Sequence, residues 1–181
     1  GARAWLGTDP VTGDKHLSSG HRGAYALLNV LVDAELFRQL RCRAGVRGAD
    51  GVRDLSAALE LVSGPPFGQR PSGYEWLQGL DLAYTAGICD VAHLVVTSAL
   101  ADGDLEAARA ASETALLVAP EDEKVLVDAM WVAFRDGNQA EGEAFVARIV
   151  AVNDGEDEMD LHMSTAETIA RARREFVARA S

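Results

Sequence analysis

Apolar residues recur at intervals of three and four along most of this chain, and the pattern changes character once, close to residue 32. Beyond it, Leu36, Phe37 and Leu40 share one face of a helix reaching about Ala44, with Asp33 placed to accept the free amides of its first turn. A second helix carries Val52, Leu55, Ala58, Leu59 and Val62 on one side until Ser63–Pro66, where proline removes an amide donor and crowds the preceding turn. After the connection 67–73, Trp76, Leu77, Leu80, Tyr84, Ile88, Val91, Leu94, Val95 and Leu100 predict a long helix from Tyr74 to about Ala101. Gly79 and Gly87 lie inside it, so a bend is expected near one of them.

The next boundaries are clearer. Asp104 caps a helix running through Val118, on which Ala107, Ala108, Ala111 and Ala115 form a thin face suited to close helix packing, and Pro120 ends it. A helix from Glu121 to Arg135 has acids in its first turn and a stripe of Val125, Leu126, Ala129, Met130 and Phe134. Asn138 with Glu141 has capping-box spacing and starts a helix through Val152. Ser164 with Glu167 repeats the signature before a last helix, Thr165 to about Ala180, whose Ile169, Ala172, Phe176 and Val177 would cover the end of the assembly. The opening thirty residues differ: turn formers surround two short segments, Lys15–Leu17 and Tyr25–Val30, which predicts a β-hairpin.

Two of these helical segments echo each other. "ALADGDLEAARAASETALLVAP", 99–120, and "AFRDGNQAEGEAFVARIVAVND", 133–154, align at a spacing of 34 residues, pairing Gly103 with Gly137, Asp104 with Asn138 and Leu100 with Phe134. That is the period of a tetratricopeptide-type helical hairpin. A helix pair unable to bury its apolar face alone stacks on its neighbours, so the expected fold is mainly α: a right-handed, tetratricopeptide-like stack with a short N-terminal β-hairpin. Two regions are expected, a hairpin over 1–31 and the helical domain over 32–181.

Composition narrows the functional classes. With 48% hydrophobic and 25% charged residues among 181, the chain has enough apolar material for a real core. No run is expected to supply the roughly 18 uncharged apolar residues that cross a bilayer, and no signal segment opens the chain. The start, "GARAWLG", reads as the interior of an element, so the chain reads as a piece of a longer polypeptide. Cys42 and Cys89 fall in helical patterns without metal or disulfide spacing and read as buried free thiols, which suits a reducing, cytoplasmic compartment.

The net charge of −11 is uneven: residues 1–73 carry +2 and residues 74–181 carry −13. Such a surface repels a phosphate backbone, so the helical region is not expected to bind DNA. It reads as a solvated acidic face, with a docking surface for a basic partner as the alternative.

Candidate chemistry is sparse. "NDGEDEMDLH", 153–162, collects acids, an Asn and a His as a hard-cation loop would, but it lacks the EF-hand order and reads as a hydrated acidic linker. His93 lies four residues after Cys89, yet nothing nearby supplies a third orienting group, so a histidine at the core edge is expected rather than a catalytic couple. There is no G-x-S-x-G, H-E-x-x-H, Walker-type or G-x-G-x-x-G motif. No catalytic residue, metal or cofactor is assigned. Tyr74, Trp76 and Tyr84 are candidate rim or groove residues for a peptide or small molecule, although packing of Trp76 into the core explains it more simply.

"LSAALELVSGPPFGQRPSGYEWL", Leu55–Leu77, resembles the bacterial transcriptional activation domain of actinobacterial regulators, including the Streptomyces antibiotic regulatory proteins, where a helix of this form precedes a Pro-containing loop and an aromatic anchor. The resemblance extends from about Val32 to Ile149, taking in the two echoing segments. It implies that "WLGTDPVTGDKHLSSGHRGAYALL" is the wing and exit strand of a winged-helix DNA-binding domain, with Lys15, His16 and Arg22 near phosphate in the parent protein. Without the recognition helix, DNA would be reached only through the rest of the parent chain. The acidic stretch 153–163 departs from the family's Gly- and Pro-containing loop. It resembles variants found in LysM-containing, membrane-associated actinobacterial proteins, which implies a membrane-associated parent with no membrane contact by this piece.

The expected function is therefore a non-catalytic regulatory domain that engages a protein partner or a second copy of itself, by self-association, intramolecular docking or contact with transcription machinery. The alternatives are a small-molecule sensor with its effector in the helical groove, or a signalling module of a LysM-containing protein.

Overall fold

A computed structural model of the chain describes residues 7–19, 25–27, 32–68, 73 and 75–180. Contacts divide the chain into residues 1–36 and 37–181. In the first unit, β1 (Leu17–Ser19) pairs antiparallel with β2 (Tyr25–Leu27), Ser18 opposite Ala26, and an isolated bridge joins Thr8 to Lys15. β1 thus begins where the expected first strand ends, and residues 28–30 of the expected second strand lie outside the described set.

The rest is mainly helical: α1 (Asp33–Arg47), α2 (Val52–Leu59), α3 (Gln78–Asp102), α4 (Leu105–Val118), α5 (Glu123–Arg135), α6 (Gln139–Val152) and α7 (Met163–Ala180). The boundary between the two units falls inside α1, at Leu36 and Phe37. Within the second unit, α3 packs along α4 and α5 along α6; α4 also meets α5, while α3 meets α2 and α5, and α5 meets α7. The most deeply buried large side chains, Leu126, Met130, Ile149 and Ile169, lie on α5, α6 and α7, where Phe134 leans on Phe176 at 5.8 Å between ring centroids. Each such residue removed from water contributes about 1.5–3 kcal/mol, which outweighs any single polar contact described below.

Local chemistry explains the repeated joints. Gly103 and Gly137 both take left-handed backbone, φ 77° and 81°, where a side chain would be strained. Just beyond them, Asp104 N donates to Ala99 O at 2.8 Å and Asn138 N to Ala133 O at 3.0 Å, so two equivalent turns close in the same way. Asp104 then caps α4 through Ala107 N, and Asn138 caps α6 through Glu141 N. The Glu141 carboxylate accepts from the Asn138 side-chain amide instead of its backbone, so the box at α6 is only half formed.

Several helix ends and faces differ from the pattern-based expectation. Residues Glu75–Leu77 form a single 3₁₀ turn, and α3 starts only at Gln78. It then runs unbroken through both glycines. At Gly87 the missing side chain admits Arg41, whose Nη1 lies 3.0 Å from where a Cβ would stand, so close approach rather than helix breakage explains that glycine. α2 ends at Leu59, short of Val62, whereas α1 continues past Ala44 to Arg47. α5 starts at Glu123 rather than about Glu121, with Asp122 as its cap, and α7 already begins at Met163, which places Ser164 inside the first turn rather than ahead of it.

Cys42 is exposed and only Cys89 is buried, because Phe37, Leu40 and Ala44 define the covered side of α1 and Cys42 falls outside it. Leu80, Leu94 and Val177 carry the apolar rhythm yet are 46%, 54% and 61% exposed. α3 is also long and apolar enough to cross a membrane by length and composition, although Asp81, Asp90 and Asp102 keep it from offering a run of about 18 uncharged residues. Its Ile88, Val91, Val95, Val96 and Ala99 are instead buried against the other helices.

Candidate functional site

Three helical stripes converge on one open cleft of ≈ 510 Å³. α3 contributes His93, Val96, Thr97 and Leu100; α5 contributes Val127, Asp128, Trp131 and Arg135; α7 contributes Thr168, Arg171 and Glu175. On each helix these positions recur every three or four residues, so one side of each faces the same space.

The polar groups form a connected set. His93 Nδ1 stands 2.9 Å from both carboxylate oxygens of Asp128. An ionised carboxylate only accepts, so Nδ1 carries the proton and donates. Burial pushes the Asp128 carboxyl above its ordinary range, while the hydrogen bond and nearby charge of His93 pull it back. Further along, Arg135 pairs with Glu175 at 3.2 Å and its Nη2 donates to Leu100 O at 2.9 Å, satisfying one of the free carbonyls near the end of α3. Arg171 lies over the Trp131 ring, 5.1 Å from its centroid, a cation–π contact. No family model matches the chain, and no curated protein or solved structure matches it either.

His93 and Asp128 make an oriented couple, but Cys89 does not join it: the thiol is buried and its pKa is pushed up to about 11, chiefly by burial, which disfavours the thiolate. Among the described residues, no group of three or more His, Cys, Asp or Glu side chains is placed to hold a metal ion.

The acidic stretch after α6 is tied down. Asp157 Oδ1 accepts from Met159 N, and Asp160 Oδ2 accepts from Glu156 N at 2.8 Å and Asp157 N at 3.2 Å. Those amides hold the Asp160 carboxyl below its ordinary range. From α7, Arg173 reaches both Glu158, at 2.7 and 2.8 Å, and Glu143 of α6, holding Glu158 low as well. The stretch is thus latched to two helices rather than being merely a hydrated linker.

Of the residues singled out from sequence, His93 lines this cleft and Tyr84 does not. Tyr84 is half-buried and meets Phe67 edge-on, 6.2 Å between centroids. Tyr74 and Arg22 lie outside the described residues, as does the Trp76 side chain. Lys15 is exposed beside its backbone bridge to Thr8, and His16 is half-buried. Sequence reasoning had noted His93 without its partner Asp128, 35 residues away. That offset is one more than the repeat spacing, the one signal that could have joined them. Trp131, Arg135 and Arg171 carried no local signature.

Proposed function

We propose that this chain is a non-catalytic regulatory interaction domain whose helix pairs form a tetratricopeptide-like, right-handed stack, as in the bacterial transcriptional activation domain that its sequence resembles. The 34-residue echo, the matching turns at Gly103 and Gly137, and the packing of α3 on α5 and α5 on α7 support the stack. The observation that carries the functional reading is the cleft between α3, α5 and α7, where the first helices of successive pairs bring together Trp131, Arg171 and a partly exposed His93 backed by the buried Asp128. In a parent regulator the domain would work by self-association, intramolecular docking or contact with transcription machinery, with DNA reached through other parts of that protein.

Sedimentation velocity of the chain alone and with purified bacterial RNA polymerase tests this reading. Saturable association with itself or with the polymerase is expected. Absence of both, together with turnover abolished by His93→Ala, would overturn it. The volume of the cleft also suits a small molecule. An effector-sensor reading therefore predicts saturable calorimetric heats with a metabolite and no protein association.

A further inference from the structure

We infer that the α3–α5–α7 cleft seats an acidic, apolar-sided segment of a protein partner, with Arg171 taking a partner carboxylate. The inference rests on the interaction-domain reading and adds the chemistry of the partner.

Charge bookkeeping inside the cleft carries it. Asp128 is engaged by His93, and Glu175 by Arg135. Asp90, on the exposed side of α3, lies between Arg41 at 3.5 Å and Lys124 at 3.3 Å. Glu175 and Asp90 already have cations in their own chain and Asp128 already accepts from His93, so a basic partner would have to break an existing contact to gain one. Arg171 differs: among the described residues it has no carboxylate partner, only the Trp131 ring beneath it. A guanidinium whose described contact is an aromatic ring rather than a carboxylate keeps N–H groups for bidentate binding of one.

Apolar surface surrounds that charge. Val96, Leu100, Val127 and Trp131 line the cleft, and Leu94, 54% exposed, lies one turn from Thr97 on α3. A segment fitting both features carries Glu or Asp next to leucine-like or aromatic residues. The negative charge of the whole chain slows the approach of such a segment, but contact is decided within the roughly 8 Å over which salt leaves charges unscreened.

Two-dimensional ¹H–¹⁵N NMR of the full chain, titrated with two short peptides identical except for Glu or Lys beside their leucines, tests the inference. The Glu peptide should shift amide signals of α3, α5 and α7 around the cleft, more weakly as salt rises. Arg171→Glu should lower its affinity about five- to tenfold. Arg179→Glu, the same charge change at the far end of α7, should leave the affinity unchanged. Equal or stronger shifts with the Lys peptide would overturn the acidic-partner inference while leaving an interaction cleft in place. Insensitivity to Arg171→Glu would overturn it too, as would shifts confined to other surfaces or none with either peptide. Failure of the interaction-domain reading itself would show separately, as absence of protein association in sedimentation.

Discussion

Gly142→Ala should destabilise this protein even though it replaces a helical glycine with the best helix former. A Cβ on Gly142 would lie 2.7–2.8 Å from three ring atoms of Phe134, well inside ordinary contact distance. Phe134 is 2% exposed and packed on Phe176, so its ring has to move by roughly 0.7 Å within a filled core. Overpacking of this kind costs about 1–3 kcal/mol, against about 1 kcal/mol gained from helix propensity. The expected net loss is centred on about 1 kcal/mol and is at most about 2 kcal/mol, a fall in Tm of about 2–4 °C per kcal/mol for a chain of this size.

The repeat supplies the control. At the 34-residue offset, Phe134 answers to Leu100 and Gly142 to Ala108. The first pair therefore holds the smaller apolar residue where α4 carries a methyl. Phe134→Leu alone should cost about 1–2 kcal/mol as a large-to-small core change. Combined with Gly142→Ala, it should recover at least about 1 kcal/mol relative to the sum of the single changes, since the added methyl fills space the ring vacated. Urea denaturation followed by circular dichroism at 222 nm, with unchanged slopes, measures all four corners of the cycle. A stabilising Gly142→Ala, or strictly additive single changes, would refute the steric account.

Three further outcomes are expected. Arg173→Ala should lower stability by about 1 kcal/mol, after discounting its half-exposed carboxylate partners for solvent screening, and should speed amide exchange across 153–162. Because Arg173 holds Glu158 below its ordinary value of 4.5, that contribution is complete above pH 4.5 and is lost as pH falls through the lowered value, so the variant and parent should converge in acid. Asp128→Asn should have the opposite profile. Burial raises the folded-state Asp128 pKa above 3.8, so its ionisation costs stability as pH rises from 3.8 through the raised value; the variant escapes that cost, and its relative stability in urea melts should climb over the same interval. With a thiol reagent at pH 8, native protein should show one fast group, Cys42, and one slow group, Cys89, with both fast in denaturant; two fast thiols in the native state would contradict the buried, high-pKa Cys89.

Some of the fold was legible because its causes are local. A carboxylate or amide at Asp104 and Asn138 satisfies amides only three residues ahead, and Gly103 and Gly137 answer to a backbone angle, so neither needs a distant neighbour. Where a signal also depended on context, it misled. Ser164 and Glu167 have the same spacing as a true cap, but α7 had already started at Met163.

The linear order of residues determined where most helices lie, how two pairs repeat and which residues are able to face inward. These are consequences of hydrogen-bond periodicity within a few residues. Tertiary structure decided which of those faces is covered. Leu80 and Leu94 share the apolar rhythm of buried residues and are exposed, because burial requires a second helix whose position no local rule supplies. It also decided the cleft: His93 finds Asp128, Arg135 finds Glu175, and Arg171 is left over Trp131 only once α3, α5 and α7 are brought side by side, since contacts across helices depend on packing rather than on spacing along the chain.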